Sequence, residues 1–195
     1  MKIVVVDYGA GNIFSVLMAL KRLGCQAVVS RDPEVISRAD RVIFPGVGQA
    51  SAAMASLEKY ELQQVIAGLQ VPVLGICLGM QLLCTRTEEE NTRGLGVFPL
   101  KVKKFAGKYK IPHMGWNNLY GLHSPLFQGI DAGERMYFVH SYYVPANEYS
   151  IATCGYEEEF AAAIRKDNFY GCQFHPEKSA AAGQKVLKNF LMETL

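Results

Sequence analysis

The chain lacks any apolar run approaching the ~20 residues that a membrane-spanning helix needs; its longest runs are short and interrupted. Its first residues, MKIVVVDYG, carry one lysine and then a strand-length run, without the longer apolar core and small-residue cleavage site of a secretory leader. Charge of one sign is scarce as well. A net charge of +2 argues against a nucleic-acid patch and against a membrane-surface patch, so no nucleic acid and no membrane are expected as partners. There is no Cys-x-x-Cys pair, and the five cysteines are an odd number, which suits free thiols in a reducing cytoplasm. No set of Cys and His has metal-ligand spacing, so no metal is expected. Repeats, low-complexity stretches and linkers are missing too. What remains is 195 residues, half of them hydrophobic, enough for one compact domain over residues 1–195.

The first half alternates strands and helices. KIVVVDY (2–8) reads as a buried parallel strand that ends at a glycine-rich turn. Ile13, Val16, Leu17, Leu20 and Leu23 recur at helical spacing, and Gly24 closes that helix. QAVVS (26–30) is the second strand. In DPEVISRAD, Asp32 is placed to cap a short helix with Pro33 at its first position. RVIFPG (41–46) is the third strand, helical material runs from about Ser51 to Leu69, and VPVLGI (71–76) is the fourth strand. GMQLLCTRT starts the next helix. This order predicts an α/β fold with a mostly parallel central sheet and helices on both faces.

Beyond about residue 93 the segments GLGVFPLKVKKF, MYFVHSYYV, YSIATCGYE, FAAAIRKD and FYGCQFHPE are short and strand-like, an added antiparallel or mixed part. The acidic run TEEENTRG (87–94) reads as a solvated loop. SAAAGQKVLKNFLMETL ends the chain as an amphipathic helix, with Val186, Leu187, Phe190 and Leu191 on one face and Ser179 as its cap.

Ligands of such sheets sit at the carboxyl ends of the strands. DYGAGN, FPGVGQ and GICLG all fall there. A dinucleotide fingerprint would need glycine where Phe14 stands, and RDPE offers only weak ribose-binding acids, so no such cofactor is expected. GICLGMQ (75–81) instead places Cys77 between glycines, after an apolar strand and before a helix, which is the pattern of a nucleophile elbow. A thiol nucleophile needs a base. Among His113, His123, His140 and His175, the last follows a strand that should end at the same sheet edge. Pro176 biases His175 toward an extended conformation. Glu177, two residues on, then lies on the same side and can fix the imidazole. His123 reads as a surface turn and His113 as a Pro-flanked loop. Cys25, Cys84, Cys154 and Cys172 read as small core residues.

PGVG, GICLGMQ and HPEKS resemble the signatures of the class I (triad) glutamine amidotransferases, a flavodoxin-like fold. DYGAGN, PHMGWN and YFVHSYY are similar to one group within it, the glutaminase subunits of imidazole glycerol phosphate synthases. The resemblance runs from residue 3 to the C-terminal helix. It implies that the Cys77 thiolate attacks the side-chain amide of glutamine, that His175 moves the protons, and that Glu177 orients His175. It assigns the oxyanion hole to the Leu78 N–H and to Val47 or Gly48. Substrate binding falls to Gly46, Gln81 and the backbone at His140, Ser141 and Tyr142.

Free ammonia is mostly protonated in neutral water, and the strands already counted leave no room for a synthase domain. The resemblance therefore implies a separate partner, a (β/α)8-barrel cyclase subunit, in a heterodimer. Asn12, Met114, Trp116, Asn117, Tyr137 and Lys178 match family positions near that interface. Core packing is the alternative for Met114 and Trp116, and a solvated charge for Lys178. Three rivals stand beside this reading: another glutaminase of the same superfamily, a cysteine hydrolase of the related elbow fold, and a non-catalytic interaction module.

Overall fold

A computed structural model describes residues 1–192; the last three residues of the terminal segment lie outside the described residues. The chain forms β1 (Ile3–Val6), α1 (Ile13–Arg22), β2 (Ala27–Ser30), α2 (Pro33–Ser37), β3 (Arg41–Gly46), α3 (Ala50–Lys59), α4 (Leu62–Ala67), β4 (Val73–Cys77) and α5 (Leu78–Leu82). It continues with β5 (Cys84–Thr87), β6 (Phe98–Lys104), β7 (His113–Asn118), β8 (Arg135–His140), β9 (Tyr142–Tyr143), β10 (Ser150–Gly155), β11 (Glu159–Lys166), β12 (Phe169–Cys172) and α6 (Ala180–Met192).

Seven strands form the central sheet in the order β10-β11-β12-β4-β3-β1-β2. Pairing is parallel from β12 to β2, and β10 and β11 extend the sheet antiparallel beyond β12. Both faces are covered, which explains the continuous apolar runs. Ile3, Val5, Ile43, Leu74 and Ile76 face one core with Val16 and Leu20 of α1 and Val186, Leu187 and Phe190 of α6. Val4, Val6, Val42, Phe44 and Val73 face the other with Ile36, Leu57, Leu62 and Ile66 from α2, α3 and α4. The period-two alternation along each strand thus sorts side chains between two cores. Each large side chain fully buried there contributes roughly 1.5–3 kcal/mol.

Local signals act as the sequence reading expects at two helix ends. Gly24 takes φ +75° just beyond α1, and the Asp32 carboxylate accepts from the Glu34 N–H at 2.8 Å. Three expectations need correction. The helical stretch after Ser51 is two helices, broken at Glu61 with φ 57°. The helix after Cys77 is only five residues long, and CTRT is strand β5. The carbonyls of Leu82, Leu83 and Cys84 accept from the N–H groups of Leu95, Phe98 and Gly96, so the returning chain ends α5.

The acidic run, in turn, is not a free solvated loop. The Glu89 carboxylate accepts from the Ala50 N–H at 2.8 Å, and Glu90 accepts from Gln49 and Ser51. Both thus sit at the N-terminus of α3, where the helix dipole favours negative charge. The remaining sheets are small: β5-β6-β9, and the antiparallel pair β7-β8.

Candidate active site

Cys77 ends β4 with φ 53° and ψ −109°, a strained conformation for a residue with a side chain. The thiol thus stands at the apex of a strand-to-helix turn, the geometry of a nucleophile elbow. The flanking glycines do not supply the backbone conformation of the turn, because neither has positive φ. They permit contact. A Cβ on Gly75 would lie 2.8 Å from the Met80 nitrogen, and one on Gly79 would overlap the Phe44 carbonyl oxygen. Gly46, at the end of β3, is equally tight: its Cβ would lie 2.6 Å from the Gly79 nitrogen.

Parallel pairing delivers the other parts. Gly46 is in register with Cys77, and Cys172 with Ile76. The loop after β3, the elbow after β4 and the segment after β12 therefore emerge side by side at one sheet edge. His175 is extended, and Pro176–Lys178 forms a tight 3-10 turn. That turn, rather than strand alternation, brings Glu177 under the imidazole: His175 Nδ1 and Glu177 Oε1 are 2.8 Å apart. Ser179 holds the cap position of α6, its carbonyl accepting from the Gly183 N–H at 2.8 Å, but its side chain serves another purpose. Its hydroxyl donates to the His175 carbonyl at 2.6 Å and accepts from the Tyr137 N–H at 2.9 Å, clamping the histidine segment to β8.

Burial by itself would lower the pKa of His175. The Cys77 thiol group and the Glu177 carboxylate outweigh it and raise the imidazole to about 10. The charged form of the imidazole is thereby favoured. Its Nε2 is buried without a hydrogen-bond partner. Cys77 Sγ lies 3.7 Å from the Val139 carbonyl oxygen and 3.6 Å from Gln173 Nε2. Burial pushes the thiols of Cys84 and Cys154 up to about 12, and Cys172 is raised in the same way. All five cysteines are free, and these three are poor nucleophiles.

A cleft of about 320 Å³ opens over the thiol. Val47, Gly48, Cys77, Leu78, Gln81, His140, Ser141, Tyr142 and His175, all singled out from sequence, line it. Gly46 does not line it but packs against Leu78 and Gly79, and Glu177 stands behind His175. Glu89, Pro112 and Val139 also line the cleft and were missed; nothing in their local sequence signals it. Gln173 was missed too, although it adjoins the His-Pro-Glu motif. Gln81 donates from Nε2 to the Tyr142 carbonyl and to Gln173 Oε1, each at 2.9 Å.

His113 is no loop residue. It starts β7, is buried, and bonds to His140 Nε2 through Nδ1 at 2.9 Å. The Tyr142 carbonyl can only accept, so His140 Nδ1 carries the proton at that 2.8 Å contact. His140 Nε2 then accepts from His113, and His113 Nε2 accepts from Asn117. Burial lowers His113 to about 4 and His140 to about 3. His123 is exposed, as expected of a surface turn.

The six residues expected near a partner fall less uniformly. Met114 and Trp116 are 62 % and 45 % exposed, which excludes core packing. Trp116 meets Tyr137 edge-on at 6.1 Å, and Lys178 Nζ lies 5.9 Å from the same ring, so these three form one surface cluster. Asn117 is half-buried and donates to the Gly155 carbonyl. Asn12 precedes α1, a helix that packs on the Pro176–Lys178 turn.

A family model described as "Glutamine amidotransferase class-I" matches residues 4–194. A curated relative from Bacteroides fragilis (strain ATCC 25285), imidazole glycerol phosphate synthase subunit HisH, is 54 % identical over 194 residues, covering 98 % of this chain and 99 % of its own. The protein of the same name from Escherichia coli K12 is 51 % identical with the same coverage. Among solved structures, a glutamine amidotransferase superposes with a TM-score of 0.76 at 19 % identity. The match covers 96 % of this chain and 96 % of that one, a likeness of fold.

Proposed function

Since this chain belongs to the class-I glutamine amidotransferases and, among them, to the HisH subunits of imidazole glycerol phosphate synthase, we propose that Cys77, His175 and Glu177 are its working triad. The protein hydrolyses glutamine and hands the ammonia to imidazole glycerol phosphate synthesis in histidine biosynthesis. The observation that supports the triad is the strained Cys77 beside a buried His175–Glu177 pair whose Nε2 is left unpaired.

In this reading the Cys77 thiolate attacks the carboxamide carbon of glutamine. The tetrahedral oxyanion is held by the Leu78 N–H, which as the first of α5 has no intrahelical acceptor. A second N–H comes from Val47 or Gly48 in the loop after β3. Gly48, at φ +96°, gives that loop the freedom to turn a peptide toward the oxyanion. Collapse breaks the C–N bond, and the imidazolium of His175 protonates the leaving nitrogen to give ammonia. His175, now neutral, takes a proton from water as the water cleaves the γ-glutamyl thioester. Glutamate leaves and the Cys77–His175 ion pair is restored. Gln81 and the backbone at His140, Ser141 and Tyr142 hold the amino-acid end of glutamine, over Gly46. Nucleophile, acid and orienting carboxylate are all side chains, so the scheme calls for no cofactor.

The ammonia goes to a (β/α)8-barrel cyclase subunit in a heterodimer. It docks where Met114, Trp116, Asn117, Tyr137 and Lys178 lie, with Asn12 at the start of α1 beside them. The whole of residues 1–195 acts as one domain. No helix among the described residues is long and apolar enough to cross a membrane, and the net charge is +2; both support a cytoplasmic protein with neither membrane nor nucleic acid as partner. The test is Cys77→Ala in the assembled complex. Glutamine-dependent synthesis is lost while synthesis from added ammonium salt persists. Glutaminase activity retained by the variant would remove Cys77 from its role.

A further inference from the structure

Gln173 is fully buried just beyond β12, and its side-chain amide nitrogen lies 3.6 Å from Cys77 Sγ as a hydrogen-bond donor. An amide so buried costs about 1–3 kcal/mol unless its polar atoms are paired. Both are, and the order of pairing is forced. The Tyr142 carbonyl is only an acceptor, so Gln81 must turn its NH2 toward it. That NH2 is only a donor, so Gln173 must present Oε1 to it. The remaining end of Gln173 is therefore its NH2, and it faces the sulfur. A backbone carbonyl two links away fixes the polarity of the group that Cys77 meets.

We propose that Gln173 is a positioning residue for the nucleophile: its side-chain N–H donates to Cys77 Sγ, holds the sulfur in place and favours the thiolate. The proposal rests on Cys77 being the nucleophile. It assigns two consequences. Hydrogen bonds to a charged group exceed those to a neutral one, so the Gln173 contact strengthens as the thiol ionises. Gln81 lines the cleft and also orients Gln173, so the group nearest glutamine and the group behind the sulfur belong to one chain of hydrogen bonds.

The test uses the assembled complex and iodoacetamide as a probe of Cys77, with alkylation followed against pH. The Gln173→Met variant removes the donor at nearly constant volume. It is expected to move the alkylation midpoint up by about one pH unit. It is also expected to lower kcat for glutamine about tenfold with KM little changed, since Gln173 does not line the cleft. A folded Q173M whose alkylation profile superimposes on that of the unaltered protein overturns the proposal. Should Q173M fail to assemble, the unaltered protein answers the question by NMR. The Gln173 side-chain amide proton should shift with the same midpoint as Cys77 alkylation, and an amide that stays still overturns the proposal. The two failures are distinguishable. An active C77A removes the functional reading itself, whereas an inactive C77A with an unchanged Q173M profile removes only the role of Gln173.

Discussion

His175 Nδ1 and Glu177 Oε1 stand 2.8 Å apart, and each of the two side chains is only 1 % exposed. Such a contact fixes the orientation of the imidazole, with Nε2 facing away from the carboxylate. In the proposed triad the carboxylate acts through the histidine and not on the substrate. Its loss should therefore cost less than loss of the histidine, as in other triads. We expect Glu177→Gln to keep at least about tenfold more kcat than His175→Asn. Glutamate release by the two folded variants in the complex checks this, and equal or reversed losses would mean the roles are misassigned.

The elbow yields a contrast between two glycines. An alanine at Gly79 would drive its Cβ into the Phe44 carbonyl of β3, so G79A should destabilise by about 3 kcal/mol or more. Gly48 has open space around it but a φ of +96°. An alanine there is strained even in open space, so G48A should cost about 1–2 kcal/mol, less than G79A, while lowering kcat, because it stiffens the loop expected to complete the oxyanion hole. Urea unfolding and glutaminase assays on both variants measure the contrast. A G48A variant less stable than G79A would contradict it.

The His113–His140 pair sets a pH limit. Folding lowers both pKa values, to about 4 and about 3. Above about pH 6.5 both histidines are neutral folded or unfolded, and neither affects stability. Below that the unfolded chain binds protons that the folded one refuses, so stability falls as pH drops toward the folded values. By pH 5 each histidine removes on the order of 2 kcal/mol. Urea titrations at pH 7.5 and 5.0 should differ accordingly. A loss no larger at pH 5.0 in the native protein than in His113→Phe would show that His113 is not held neutral.

Much of this arrangement is legible in the chain alone, and its gaps share a cause. The strands Ile3–Val6 and Val73–Cys77 are continuous apolar runs because both faces are covered, and that signal is local. Cys77 between glycines and His175 two residues before Glu177 are local patterns too. The end of α5 is different: it depends on N–H groups of Leu95, Gly96 and Phe98 that arrive from a later segment. Gln173 meets Cys77 across 96 residues of sequence, and Glu89 caps α3 from 39 residues away. His113 looks like a loop residue until pairing with β8 sets it against His140. Local spacing carries no record of such partners.

Control by the partner is a further expectation. A lone glutaminase wastes glutamine, and the Trp116–Tyr137–Lys178 cluster adjoins the His175 segment through the bond from the His175 N–H to the Tyr137 carbonyl. Docking there can bias the loop after β3 toward its active arrangement, a population shift. The isolated chain should hydrolyse glutamine very slowly. The proposed barrel subunit with its nucleotide ligand should raise the rate at least ~100-fold, about 3 kcal/mol of differential stabilisation. An isolated chain as fast as the liganded complex would remove the switch and leave the triad intact.

The most direct measurement is the mass of Cys77 itself. The liganded complex is incubated with glutamine, quenched in acid during turnover, digested and analysed by mass spectrometry. The peptide that contains Cys77 should carry a γ-glutamyl group in thioester linkage, and His175→Asn should alter how much accumulates. A complex that turns over glutamine with Cys77 never acylated, or with the label on another cysteine, would contradict the account.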